Sequence, residues 1–347
     1  MDNIVEIEHL KVYFEVGTAK SYSVVKAVDD VTYSLAKGEA MGLVGESGCG
    51  KTTTAYSIIG LLPDNGKIVG GQIKFNGAIL SKAIDRKNKR IAKSELKEQE
   101  NRLRKVRWKD ISIIFQSAMN AFNPVMRISD QIVEAILAHE NVTKLAARER
   151  VFELFSMVGI EPRRADEFPH EFSGGMKQRA MIAMALACKP QLIIADEPTT
   201  ALDVIMQDRI LKELKDLRKK FNLSMMLITH DISVVAETAN KIAVMYAGKI
   251  VELGDIRKIF KKPSHPYTIG LMNAFPSIVG TKQRLESIPG SPPDLVNPPT
   301  GCRFHPRCKY AKEVCKDLEP QMIMVEDNHY VACHFANDIF QQQKEGD

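Results

Sequence analysis

An α/β fold is what this sequence predicts, and three observations carry the prediction. Continuous apolar runs at residues 40–44, 111–115, 191–195 and 225–228 read as strands buried on both faces. Between them, apolar residues recur at three- and four-residue spacing, the period of amphipathic helices. The first run opens into GESGCGKT, residues 45–52, with a helix-competent segment from about Thr53, which is the strand, glycine loop and helix order of a phosphate cradle.

Length and composition bound the rest. With 347 residues, 44% hydrophobic and 26% charged, the chain reads as an ordinary soluble globular protein with one large domain and a smaller one. Its net charge of +5 is mild, the basic excess lies between Lys82 and Lys109 among interspersed acids, and no nucleic-acid partner is expected. No apolar run approaches bilayer-spanning length, and MDNIVEIEHL lacks the basic start and apolar core of a secretory signal, so the expected location is the cytoplasm.

Taken in order, residues 4–14 alternate apolar and polar as a half-buried strand does. They end on Tyr13 and Phe14, either of which can stack under an adenine or pack in the core. A second alternating segment, 27–35, turns at Lys37-Gly38 into the strand that feeds the loop. In the loop, Gly45, Ser47, Gly48, Cys49 and Gly50 turn consecutive backbone N–H groups inward around a polyphosphate, and the helix start at Thr52 and Thr53 adds its positive end. Lys51 reaches the β and γ phosphates as a point charge. The Thr52 hydroxyl is placed for the Mg2+ that accompanies a nucleoside triphosphate.

After a helix to about Leu62, Pro63, Asn65 and Gly66 break the chain, and residues 71–75 return as a short strand. The Lys- and Arg-rich stretch 82–109 reads as a solvated helical excursion. Gln116 follows the run 111–115 directly. From Ile128 the pattern is helical, carried by Ile132, Val133, Ile136 and Leu137, then by Val151, Leu154, Phe155 and Val158. Ser173, Gly174 and Gly175 open a helix to about Cys188, a serine cap with two glycines whose amides are free to meet a phosphate.

The run 191–195 ends in Asp196-Glu197, two carboxylates that are costly to bury unpaired and therefore face a cation or a cleft. Asp196 is placed to orient Mg2+ and Glu197 to take a proton from an attacking water. Asp203 precedes a helix with Met206, Ile210, Leu214, Leu217 and Phe221 on one core-facing stripe. The run 225–228 leads through Thr229 to His230, another strand-end site candidate.

From Gly254 the composition shifts to prolines and short helical pieces, with little apolar material for an independent core. Cys302, Cys308, Cys315 and Cys333 are spaced C-x5-C-x6-C-x17-C. Tight C-x2-C pairs are absent. The set suits a [4Fe–4S] cluster, a mixed zinc site with His305 or His334, or unligated thiols, and a metal crosslink would stabilise the segment. Cys49 and Cys188 read as small packing residues.

Together, residues 4–255 resemble the nucleotide-binding domain of an ATP-binding cassette transporter. GESGCGKT is similar to the family's Walker A loop, Gln116 to its Q-loop, FSGGMKQR (172–179) to its signature and LIIADEP (192–198) to its Walker B strand; residues 201–203 match its D-loop and His230 its switch histidine. Phe172 and Met176 depart from the commonest LSGGQ form, and Ser173-Gly174-Gly175 keeps it. The resemblance implies a P-loop NTPase cassette core at 1–255 with an antiparallel β subdomain and an α-helical subdomain at about 117–185, plus a small cysteine-cluster extension at 256–347. It also implies ATP and Mg2+, with the triphosphate held between the loop of one cassette and the Ser173-Gly174-Gly175 helix end of its partner. Gln116 would join Thr52 on Mg2+, Glu197 would activate water, and His230 would hold the γ-phosphate and sense its loss.

The stretches 116–136 and 261–276 and the tail 301–315 with 332–335 narrow the resemblance to the ATPase subunits of dipeptide and oligopeptide permeases, nearer the DppD/OppD-like subunit. That group implies a paralogous DppF/OppF-like ATPase partner, two membrane permease subunits, an extracytoplasmic peptide-binding protein, and a peripheral place on the cytoplasmic face of the membrane. It favours the iron–sulfur cluster over zinc. The competing function is a soluble cassette ATPase acting on ribosomes or DNA. Such proteins often carry two cassettes or a long coiled-coil insertion, and this chain has one cassette and no such insertion.

Overall fold

The computed structural model describes residues 2–18, 21–85, 87–116, 121–200, 202–274 and 288–345. Parts of the segments read above, residues 117–120, Ala201 and residues 275–276, lie outside them. In chain order the strands are β1 (Asn3–Thr18), β2 (Ser21–Ala36), β3 (Ala40–Val44), β4 (Gly66–Phe75), β5 (Ala78–Lys82), β6 (Ile111–Ile114), β7 (Leu192–Asp196), β8 (Ser224–Thr229), β9 (Lys241–Tyr246), β10 (Lys249–Asp255), β11 (Ile323–Glu326) and β12 (His329–Val331). The helices are α1 (Lys51–Ile59), α2 (Lys89–Val106), α3 (Ile128–His139), α4 (Lys144–Met157), α5 (Gly174–Leu186), α6 (Val204–Phe221), α7 (Ile232–Thr238), α8 (Ile256–Lys261), α9 (Pro266–Asn273), α10 (Val314–Asp317) and α11 (Ala336–Glu345). They fall into two compact units, one of Asp2–Leu35, Ala40–Leu96 and Thr229–Asp347, the other of Ala36–Glu39 and Lys97–Ile228.

The first unit contains an antiparallel sheet in the order β2-β1-β4-β5. Strand β4 starts at Gly66, earlier than the apolar pattern shows, because residues 66–70 pair with Phe14 to Lys11 through backbone bonds that ask little of the side chains. A register shift beside Lys11, with His9 at φ 50 and Gly71 at φ 74, bends the pair there. The same unit holds β3 parallel to β9, followed by β10, β12 and β11. Every residue of β3 is buried, which is why it reads as an uninterrupted apolar run.

The C-terminal segment is better fastened than its composition implies. Strand β12 pairs with β10, Glu252 opposite Val331, and Phe304, Val331, Ala336, Ile339 and Phe340 are all buried. Glu252, itself fully buried, accepts the backbone N–H groups of Ser264 (2.8 Å) and His265 (3.0 Å) and lies 2.6 Å from His329 Nε2. These ties hold the segment independently of any metal crosslink. The composition hid these strands because three- and four-residue strands are shorter than any periodicity window.

In the second unit β6, β7 and β8 run parallel, Ile111 opposite Leu192 and Leu192 opposite Ser224. Helix α3 buries Ile132, Val133 and Ile136 and leaves Leu137 exposed, so the apolar face is one position narrower than its spacing predicts. Thr143 caps α4, and α5 is buried almost all round, which accounts for its small and apolar composition. Among the described residues, no helix is long and apolar enough to cross a membrane.

Candidate functional site

Strand β3 ends at Val44, and the loop 45–50 delivers the chain to α1 at Lys51. Gly50 has φ 105, and a Cβ there would lie 2.2 Å from the Ala27 carbonyl oxygen; a Cβ at Gly45 would lie 2.1 Å from that of Met245. No other residue type fits either place. With Gly50 as its N-cap, α1 has no side-chain cap, so the first-turn amides are not taken by one and are suited to an anion. Ser47 and Gly48 form the exposed tip, Cys49 is buried, and Thr52 and Thr53 are half-buried on the first turn.

Lys51 is only 6% exposed, and its ammonium is held by the loop itself. It donates to Gly45 O (2.8 Å) and Glu46 O (3.0 Å) and stands 3.8 Å from Cys49 Sγ. Cys49 is buried, and that burial raises its thiol pKa, an effect that Lys51 partly offsets. On β1, in the antiparallel sheet, the Tyr13 hydroxyl donates to Asp29 Oδ1 at 2.7 Å, while the Phe14 ring covers Gly66. Burial works against the Asp29 carboxylate, but Tyr13 and Arg303 outweigh it and hold its pKa below the usual range. His230 follows β8 as an exposed residue, and Asp231 after it caps α7.

In the other unit the structure brings together two residues 81 apart in sequence: Gln116 Nε2 donates to Glu197 Oε2 at 2.7 Å. Thr200 Oγ1 donates to the same oxygen at 3.0 Å. Asp196, the last residue of β7, is fully buried, whereas Glu197 is partly open to solvent. Glu197 has φ 43, and its N–H is bonded to Ile228 O. A left-handed glutamate costs about 1–2 kcal/mol. The turn separates the directions of two adjacent carboxylates, one buried at the strand end and one reaching outward. Neither this backbone conformation nor the Gln116 and Thr200 contacts to Glu197 carries a sequence signal of its own.

Ser173 caps α5, its Oγ accepting the Met176 N–H at 3.4 Å. The two departures from the commonest signature have local partners. Phe172 is buried edge-on against Phe155 (centroids 6.4 Å), and Arg164 lies over its ring while Nη1 reaches Met176 Sδ at 3.3 Å. A Cβ at Gly175 would stand 2.5 Å from Met206 Cε, so that flexible side-chain end would have to move aside for any other residue.

Cys315 lies close enough to raise the pKa of Cys302, Cys308 and Cys333 electrostatically, and the Cys302 N–H donates to Cys315 O at 2.8 Å. Burial is the main cause in each shifted thiol: Cys302 is pushed up to about 11, Cys333 to about 12, and Cys308 upward as well. A metal group must therefore displace protons to bind there. Among the described residues, no three or more His, Cys, Asp or Glu form a group that could hold a metal ion, so neither the iron–sulfur nor the zinc arrangement finds support here. His305 and His334 each set a ring nitrogen 2.9 Å from a backbone carbonyl oxygen, those of Cys302 and Leu318. In the same unit a cavity of about 710 Å3 is lined by residues that include Cys302, Phe304, Tyr246 and Tyr330, and no residue from 45 to 53 borders it.

The profile of the family described as ABC transporter matches residues 28–200, and that described as Oligopeptide/dipeptide transporter, C-terminal region, matches residues 251–315. The chain is 44% identical over 338 residues to the dipeptide transport ATP-binding protein DppD of Bacillus subtilis (strain 168), covering 96% of this chain and 95% of that protein. It is 43% identical over 321 residues to the oligopeptide transport ATP-binding protein OppD of Escherichia coli (strain K12), covering 92% and 89%. Among solved structures, cbiO1 from Clostridium perfringens aligns with a TM-score of 0.58 at 24% identity over 75% of this chain and 91% of that one. The dimeric bacterial ABC transporter cassette MJ0796 aligns with a TM-score of 0.60 at 25% identity over 73% and 99%.

Proposed function

This chain belongs to the ABC transporter family, among the ATP-binding subunits of dipeptide and oligopeptide importers, and we propose how its residues divide the work of ATP hydrolysis. The observation that carries the reading is identity to such subunits over almost the whole length, with the strand, glycine loop and helix at 40–59 intact. Hydrolysis of ATP drives peptide uptake. The loop amides of Gly45, Ser47, Gly48, Cys49 and Gly50, with Thr53, bind the phosphates, and Lys51 bridges to them. Phe14 or Tyr13 stacks on adenine, the Tyr13 ring being held in place by its hydroxyl bond to Asp29.

Thr52 and Gln116 offer hard oxygen donors of the kind Mg2+ prefers and would hold it, with Asp196 supporting it. Bound there, the ion neutralises charge on the phosphates. Gln116 also donates to Glu197, which orients that carboxylate to take a proton from water. His230 contacts the γ-phosphate.

Ser173, Gly174 and Gly175 of one cassette meet the phosphate held by its partner, here a paralogous DppF/OppF-like subunit. Each hydrogen bond to a charged phosphate contributes about 1.5–3 kcal/mol. Moving an equilibrium from mostly open to mostly closed takes about 5.5 kcal/mol, so roughly two to four such contacts suffice. Hydrolysis removes them and the pair reopens. In this reading a cassette occupies residues 1–255, with a helical section at about 117–185, and the extension 256–347 completes the chain. It sits on two permease subunits at the cytoplasmic membrane face, served by an extracytoplasmic binding protein.

The reading is tested by purifying the chain from membranes and assaying ATP hydrolysis. Co-purification with permease subunits and stimulation by a peptide-loaded binding protein are expected. Co-purification with ribosomes or DNA, with hydrolysis insensitive to peptide, would replace it with the soluble-ATPase reading.

The extension's four cysteines are proposed to hold a [4Fe–4S] cluster. What supports the reading is a set of four cysteines in the extension, the thiolate number such a cluster takes, with Cys315 acting electrostatically on the other three. Anaerobically purified protein is expected to contain iron and acid-labile sulfide, and Cys308→Ser to lose both and to expose the extension to protease. Unchanged iron content and cleavage pattern in that variant would remove the cluster.

A further inference from the structure

The cysteine-bearing extension reaches back to the phosphate-binding loop. Arg307, the residue before Cys308, makes a two-pronged contact with Glu46, the second residue of GESGCGKT: Nη1 to Oε2 at 2.7 Å and Nη2 to Oε1 at 3.0 Å. Its guanidinium is fixed by donation to Pro289 O (2.7 Å) and Gly290 O (3.3 Å) and lies over the Tyr246 ring, with the side chain only 6% exposed. Glu46 is also held through its backbone. Its N–H donates to the Tyr267 hydroxyl at 2.9 Å, and its carbonyl accepts from Lys51. Tyr246, Tyr267 and Phe304 pack ring against ring behind this point.

Glu46 places a negative charge inside a loop built to receive a polyanion. Unneutralised, it would repel the phosphates and compete for the Lys51 ammonium. We propose that Arg307 is a positioning residue of the nucleotide site: it cancels the Glu46 charge and, with Tyr267, sets the loop's entry conformation, so ATP affinity in this chain depends on its C-terminal extension. This rests on the reading that the loop binds ATP. Arg303 makes a parallel attachment close by, pairing with Asp29 and donating to Ala247 O, while the neighbouring Gly248 N–H donates to Cys49 O. Two arginines of one short segment thus brace the surroundings of one loop.

The test uses the full-length chain and four variants, Arg307→Gln, Arg307→Lys, Glu46→Gln and the pair R307Q/E46Q. Binding of a fluorescent ATP analogue with Mg2+, steady-state KM and kcat in the assembled transporter, and thermal midpoint are measured for each. R307Q is expected to raise Kd and KM about tenfold with kcat within about twofold, because the lost neutralisation acts on binding and not on the proton transfer. R307K keeps the charge and loses only about threefold, and adding E46Q to R307Q returns affinity to within about threefold of wild type. Wild-type affinity in R307Q, or a double variant as weak as R307Q, overturns the proposal. If R307Q fails to fold, R307K with and without E46Q decides by the same comparison. Failure of the wild-type chain to bind the analogue would instead sink the functional reading itself.

Discussion

Glu197→Gln is expected to lower ATP turnover by about 10²–10⁴-fold, the usual contribution of a general base, while Mg2+-ATP still binds. That loss corresponds to about 2.7–5.4 kcal/mol of transition-state stabilisation. The substitution is nearly isosteric, retains an oxygen that accepts from Gln116 and Thr200, and adds no strain at φ 43 beyond what glutamate already bears. What disappears is proton affinity alone. Asp196 cannot stand in, because it is fully buried while Glu197 is open to an approaching water. The variant is assayed with its partner ATPase and permease subunits present, alongside nucleotide binding. Turnover near wild type would transfer the role of base to another group.

Lys51→Ala is expected to weaken Mg2+-ATP binding roughly 10²-fold, within the range set by losing one or two charge-assisted hydrogen bonds. An ammonium has three N–H donors. Here two are on Gly45 O and Glu46 O, and the third side stands 3.8 Å from Cys49 Sγ, a weak acceptor that a phosphate oxygen readily displaces. The side chain is thus aimed by its own loop. Titration with a fluorescent ATP analogue, with the thermal midpoint as a control, measures the effect. An affinity within about threefold of wild type would mean that the loop amides carry the binding alone, through the helix N-terminus. The comparison with Arg307→Gln is informative, since both variants alter charge around Glu46, but only Lys51 would touch the nucleotide.

Much of the secondary structure was legible in the chain. Buried strands such as β3 and β7 are short apolar runs because both of their faces are covered, and α5 opens on a serine cap. The C-terminal strands were not legible. Three or four residues do not make a period, and what holds β12 is its ladder with β10 and the burial of His329 beside Glu252. Residue 172 illustrates the same limit. From sequence Phe172 is only a departure from a pattern, and its reason, the Phe155 ring, lies in another helix.

The sequence by itself determined the phosphate-binding loop. Glycine's freedom at Gly45, Gly48 and Gly50 and the free amides at the start of α1 are local properties that can be read without any distant partner. Only the tertiary structure decided which groups surround the charges. Gln116 meets Glu197 across 81 residues, and Arg307 meets Glu46 across 261. The physical reason is range: backbone preference is set within one or two turns of chain, whereas the partner of a side-chain charge is whatever the completed packing brings within hydrogen-bond distance.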